Sequence, residues 1–341
     1  MACCRRKTGL VVLLGVALWL GPGLAWAQSE ASQAGGAQAP VGGGCATSAT
    51  CVLQLKYGES EPVRQEAARR LGEMGRGQAV PTLVDALAHD EGAFVRVYAA
   101  RALGRLKASE GQAPLEAALS QDASEQVRCA AALALASLGG EGVVRPLAQA
   151  LEKDSDWETR RTVAMALGLS HLESARPALN KALAEEGRAE VRQEAIRALG
   201  VLPGDGASSA AVLLQRLKDD TVAAVRQDAA RTLAGVQAQG VDAGLGKAVQ
   251  TDREPLVRQE AAKSLGLRGQ APTADVLIKA LQRDTDPGVR LEAAHALALV
   301  GGPAAEEALG YYADHAEQES IREGAQDGLE LLRSRKAKAT P

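Results

Sequence analysis

From about residue 60 onward, small and branched apolar residues return with a helical beat. Around Arg64 they fall at the preceding position, at the third and fourth following and at the seventh: Val63, Ala67, Ala68 and Leu71. Those offsets share one face of a 3.6-residue helix, so the segment predicts an amphipathic helix with polar residues opposite. A similar set surrounds Arg96, Arg128, Arg160, Arg192, Arg226, Arg258, Arg290 and Arg322. Successive arginines stand 32 residues apart, except for 34 between Arg192 and Arg226, and Leu holds the seventh following position in all nine copies. A second apolar period precedes each of these helices, as in Pro146-Leu147 with Ala150-Leu151. Pro81, Pro114, Pro146, Pro177, Pro272 and Pro303 stand at or near its start, where a missing N–H costs little. We designate this segment helix A and the arginine-bearing one helix B.

Such short helices do not hold together alone in water, so each pair must bury its apolar face against the next. The pattern therefore predicts an all-α chain of about nine two-helix repeats of 32 residues, covering 45–332. The eighth position after the arginine is Gly or Ala in eight copies, Gly72, Gly104, Gly168, Gly200 and Gly266 among them, which suits a closely approaching neighbour. Six positions before the arginine stands an acid in seven copies. The resulting pairs are Asp90 with Arg96, Asp122 with Arg128, Asp154 with Arg160, Glu186 with Arg192, Asp220 with Arg226, Asp252 with Arg258 and Asp284 with Arg290. An acid so placed is expected to cap the first turn of helix B and to accept from its arginine. Gly58 and Ala316 replace it in the outermost copies, as in atypical terminal repeats.

With these residues in view, the chain resembles the HEAT-repeat family, in the short-repeat variety also found in phycobilin lyases. The resemblance covers about 51 to 332, and the turn acid with the helix-B arginine is among the family's more specific features. It implies a HEAT-like, armadillo-like solenoid: a right-handed α-α superhelix whose B helices line the concave side. The two extra residues before Asp220 fall near Pro203-Gly204-Asp205-Gly206 and read as a loop.

On helix B the positions two before the arginine and one, two and five after it point away from the apolar face. Most repeats fill them ionically, with Glu66, Glu194, Asp228, Glu260 and Glu292 followed three residues later by a base in most copies, as Arg69, Arg197, Arg231 and Lys263. Such an acid and base form a surface pair of about 0.2–0.5 kcal/mol, and a solvated neutral ladder accounts for them. Repeats two to four depart from it. They carry Phe94, Val97 and Tyr98, then Cys129, Ala130 and Leu133, then Thr162 and Met165, with Trp157 opening the fourth B helix. Phe94 is the sole Phe. Phe94, Val97, Tyr98, Cys129, Leu133, Trp157 and Met165 form a candidate partner-binding patch. Burial of the same residues by neighbouring helices is the competing reading.

The ends read differently. Residues 1–27 have Arg5, Arg6 and Lys7, an apolar run from Leu10 to Leu20 and Ala25-Trp26-Ala27 before Gln28, the pattern of a cleaved signal peptide rather than a membrane anchor. This places the mature chain in the periplasm or outside the cell, with no integral membrane span after cleavage. Residues 28–44 hold little to bury and read as a flexible linker. Cys45 and Cys51 either close a small disulfide loop or remain free thiols. Arg333, Arg335, Lys336 and Lys338 make residues 333–341 a basic, solvated tail.

Only 2% of residues are aromatic and the net charge is -3, which argues for many thin layers and against nucleic acid as partner. His89, His171, His295 and His315 fall in separate repeats without metal-ligand spacing, and Cys129 has no adjacent base, so a small apolar helix residue is its simplest role. No phosphate loop, nucleophile elbow or dinucleotide fingerprint occurs, so neither a catalytic site nor a cofactor is expected. The leading expectation is a non-enzymatic scaffold offering its concave helix-B surface to a protein partner. Two alternatives stand beside it: a chaperone-type or lyase-like assistant to an enzyme or to cofactor attachment, and a structural spacer.

Overall fold

The computed structural model describes residues 45–75 and 77–339, with side chains as far as Arg335. The expected signal and linker, residues 1–44, lie outside the described residues. Among the described residues eighteen α-helices follow one another in nine pairs. The A helices are α1 (Ser48–Tyr57), α3 (Val80–His89), α5 (Gln112–Gln121), α7 (Val144–Lys153), α9 (Arg176–Glu185), α11 (Ala210–Asp219), α13 (Val241–Thr251), α15 (Ala274–Arg283) and α17 (Pro303–His315). The B helices are α2 (Glu61–Met74), α4 (Ala93–Arg105), α6 (Glu125–Leu138), α8 (Trp157–Leu169), α10 (Ala189–Val201), α12 (Ala223–Leu233), α14 (Pro255–Arg268), α16 (Pro287–Val300) and α18 (Glu319–Ala339). There is no strand among the described residues, and the fold is an all-α repeat fold.

Each B helix packs on its own A helix and on the B helices before and after it, while A helices meet their neighbours more sparingly. The B layer is therefore the tighter, inner layer of the stack. The periodic positions form its core: Val95, Ala99, Leu103 and Leu83 are fully buried, and the same columns are buried in the following repeats. The eighth-position glycines show why the layer can be so tight. A Cβ on Gly104 would lie 2.7 Å from Ala134 Cα, and one on Gly266 would lie 2.7 Å from Ala296 Cα. Backbone thus rests on backbone, with no side chain that could move aside.

The acid before each B helix works differently from the sequence expectation. Asp90 ends α3 in extended conformation, and its Oδ1 accepts from the Gly92 N–H two residues on, which closes the turn. Its carboxylate does not take its own repeat's Arg96. Instead both oxygens accept from Arg64 of the preceding repeat, at 2.7 and 3.0 Å. Arg96 in turn donates to both oxygens of Asp122, 26 residues downstream, and only its Nη1 reaches back, to the carbonyl of Asp90. The rungs are Arg64–Asp90, Arg96–Asp122, Arg128–Asp154, Arg160–Glu186, Arg192–Asp220, Arg226–Asp252 and Arg258–Asp284, all at 2.7 or 2.8 Å. Each is a bidentate clamp between consecutive repeats. The physical reason is that the acid has already turned its carboxylate toward the following N–H and the neighbouring repeat, which leaves its carbonyl for the local arginine. Arg290 faces Ala316 where an eighth acid would stand, and its Nε donates to Leu281 O instead.

The two-residue insertion sits in the loop after α10 and leaves the Arg192–Asp220 rung intact. Arg176, 2% exposed, holds that loop by donating to the carbonyl of Pro203 and to Ser209 Oγ, and is itself fixed by Glu173, which accepts from its Nε and Nη2. Cys45 and Cys51 are joined in a disulfide at the start of α1. At the far end, helix α18 continues to Ala339, so the expected free tail from 333 is helical. Leu332 is buried, and Arg335 donates to the carbonyls of Ala298 and Leu299 on α16.

Candidate functional site

The inner layer changes character along its length. From repeat five to repeat seven it is ionic and cross-linked. Arg197 pairs with Glu194 on its own helix at 3.7 Å and with Asp228 on α12 at 3.1 Å. Arg231 pairs with Asp228 at 3.0 Å and with Glu260 on α14 at 2.9 Å. The acid-base pairs expected within helices thus also run between repeats. Glu66 in the first repeat accepts from Arg69 and Arg70, which holds its carboxyl down at about 2, the Arg69 hydrogen bond weighing most.

Repeats two to four interrupt this network. Phe94, on the first turn of α4, is 53% exposed. Tyr98 is half-buried, and the Arg101 guanidinium lies 5.5 Å from its ring centre, at cation–π distance. On α6 and α8, Cys129, Leu133, Thr162 and Met165 are all half-buried. The expected ionic columns are therefore replaced by apolar groups that remain partly open.

Two positions differ from the sequence expectation. Val97 is 4% exposed and Ala130 is 3% exposed, so both belong to the core. The column holding Val97 faces the seam between successive B helices: Cys129, its counterpart one repeat on, donates from Sγ to Thr159 Oγ1 of α8 at 3.8 Å. Gln193, in the same column, crosses the seam to the next repeat with its amide, which donates to Asp228 at 3.1 Å. Trp157 is half-buried at the rim of the layer, with the guanidinium groups of Arg188 and Arg161 at 4.6 and 6.0 Å from its ring centre. Arg161 stands one turn on along α8, whereas Arg188, at the N-cap of α10, escapes a reading of the sequence because it meets Trp157 from the next repeat. The patch that remains is Phe94, Tyr98, Cys129, Leu133 and Met165, with Trp157 at its edge.

The chemistry of this face is that of contact. Burial pushes the Cys129 thiol up, and hydrogen bonds to Thr162 and Thr159 offset this only in part, so it stays protonated at neutral pH. Among the described residues no group of three or more His, Cys, Asp and Glu side chains is placed to hold a metal ion. Among them, too, no helix is long and apolar enough to cross a membrane.

Comparison with known proteins places the fold. A family model described as HEAT repeats matches residues 50–136, 94–156, 144–234 and 243–330. No curated protein matches the sequence. Among solved structures, human deoxyhypusine hydroxylase is similar at 22% identity over 84% of this chain and 96% of its own, with a TM-score of 0.36. The CpcE and CpcF complex of phycocyanin lyase from Nostoc sp. is similar at 19% identity over 87% and 98%, with a TM-score of 0.36. Kap95p, solved with RanGDP, is similar at 12% identity over 86% of this chain and 52% of its own, with a TM-score of 0.47. Likenesses so distant carry no argument about this chain. With paired helices, a ladder of acid and arginine in register and matching segments across most of its length, the chain belongs to the HEAT-repeat family.

Proposed function

We propose that this protein is a non-enzymatic scaffold that docks a protein partner on the inner B-helix face of repeats two to four. One observation carries the reading: the inter-repeat ionic network of the inner layer gives way there to Phe94, Tyr98, Leu133 and Met165, none of them fully covered. Aromatic and aliphatic side chains that stay partly open on an otherwise charged face match the composition of interface centres. Arg101 beside Tyr98 and the two arginines around Trp157 supply a cationic rim, which favours a partner with acidic residues flanking an apolar segment.

The working place is outside the cytosol. The signal-like pattern of residues 1–27 and the Cys45–Cys51 disulfide, a bond of oxidising compartments, support this. The test is site-specific photo-crosslinking in cells making the full chain, with benzoylphenylalanine in place of Phe94 or Leu133 and, as control, of Lys263 in the charged stretch. One protein adduct common to positions 94 and 133 and missing from 263 is the expected result. Equal labelling at all three, or none at 94 and 133, would remove the proposal.

A further inference from the structure

A second site lies on the other side of the stack, between helices α11 and α13. A cleft of about 580 Å³ opens there, floored by Leu214, Leu217 and Ala248. That volume is in the range of small-molecule sites. Two features of the sequence distinguish it from the other seams. Gly244 stands eight residues before the turn acid, where the other A helices from α3 to α15 carry Thr82, Pro114, Pro146, Ala178, Val212 and Val276. Leu214 leans into the room so left: a Cβ on Gly244 would come within 2.3 Å of its Cδ2.

The second feature is charge. In the register of the repeat, the residue two before one turn acid corresponds across the seam to the residue five before the next acid. Between α7 and α9 this is Glu152 with Lys181, an ion pair at 2.7 Å that bridges the seam. The corresponding pairs at the other seams are Ala88 with Ala117, Ser120 with Gln149, Ala184 with Gln215 and Gln250 with Lys279. Between α11 and α13 it is Lys218 with Lys247, two cations lining one cleft. Arg253 lines it too and is held in place by donating to Thr221 O at 2.8 Å. Of the acids around the cleft, Asp220 and Asp252 are clamped by ladder arginines, and Asp219 lies 3.7 Å from Lys218. Lys247 has no acidic partner among the described residues.

Cations gathered around one apolar-floored cleft favour an anion there. We infer that this cleft binds a small organic anion: a carboxylate held by Lys218, Lys247 and Arg253, with an apolar body against Leu214, Leu217 and Ala248. The site is separate from the partner-docking face and does not depend on it.

The experiment is calorimetric titration of the whole protein with 2-naphthoate, and with neutral 2-naphthamide as the uncharged counterpart. Saturable binding of naphthoate in the submillimolar range is expected, with the amide at least about tenfold weaker. Lys247→Glu should weaken naphthoate about tenfold or more, and Thr251→Trp should block the cleft, both at unchanged melting temperature. Lys279→Glu, which moves the same charge to the next seam, should leave affinity within about twofold. No saturable binding at about 10 mM, equal binding of the amide, or equal losses in the Lys247 and Lys279 variants would overturn the assignment.

Discussion

Arg226 donates from Nε and Nη2 to the two carboxylate oxygens of Asp252 at 2.8 and 2.9 Å, while its Nη1 reaches back to the carbonyl of Asp220 at 2.9 Å. One side chain therefore joins two inter-helix turns that belong to consecutive repeats. Because Asp220 is itself clamped by Arg192, the contacts form a continuous chain along the stack. In a solenoid, where each repeat touches only its neighbours, such links set how strongly one repeat depends on the next.

Arg226 is 3% exposed, so its removal leaves a buried carboxylate without its counter-ion. Arg226→Ala is expected to cost about 3–5 kcal/mol, and Asp252→Ala a comparable amount, with the double variant well short of their sum. Arg290→Ala removes a bond to a carbonyl and no ion pair, and should cost about 1 kcal/mol. Urea denaturation followed by circular dichroism distinguishes these values; equal costs for Arg226 and Arg290 would contradict the ladder's role.

Stability should also fall in acid, with a definite sign. At Asp220, Asp252 and Asp284 burial, the largest influence, works to raise the carboxyl. The arginine hydrogen bond, a backbone N–H and nearby positive charge together outweigh it and hold each below the ordinary value of 3.8. A depressed acid contributes stability that is complete above its unfolded value and is lost as pH falls through the lower folded one. The ladder's contribution should thus persist to about pH 4 and fade below it. Glu194 and Glu292 act in the opposite direction: burial raises both, so each opposes folding at neutral pH and is relieved as pH drops. Glu194→Gln is therefore expected to raise the melting temperature at pH 7 and to lose that advantage in acid; a constant advantage at every pH would contradict the assignment.

The repeats themselves were legible because Arg, Leu and the turn acid share one period. The partner of each arginine was not. An acid 6 residues upstream and another 26 downstream complete the same 32-residue interval. Spacing therefore does not distinguish a bond within a repeat from a clamp between repeats, and the extended turn at the acid decides for the second. Val97 shows the same kind of gap: a single helix viewed end-on puts it outside, and only the neighbouring B helix covers it. Lys218 and Lys247 look like ordinary surface lysines until the A helices are laid side by side.

Gly104 gives a sharper test of packing. Gly104→Ala would place a methyl 2.7 Å from the Cα of Ala134 and is expected to cost about 1–3 kcal/mol as the two B helices separate. Since the clash is with backbone, adding Ala134→Gly should not restore stability. Restoration measured by thermal unfolding would show that the side chain, and not the main chain, sets the spacing.

The proposed docking face is the apolar break in the inner ladder. The most direct measurement compares the wild-type chain with a Tyr98→Glu, Leu133→Glu variant for stoichiometric complex formation with the crosslinked partner, each with its melting temperature. Loss of the complex at unchanged melting is the expected result. Retention of the complex, or unfolding of the variant, would mean that these side chains serve the core and that the partner, if any, binds elsewhere.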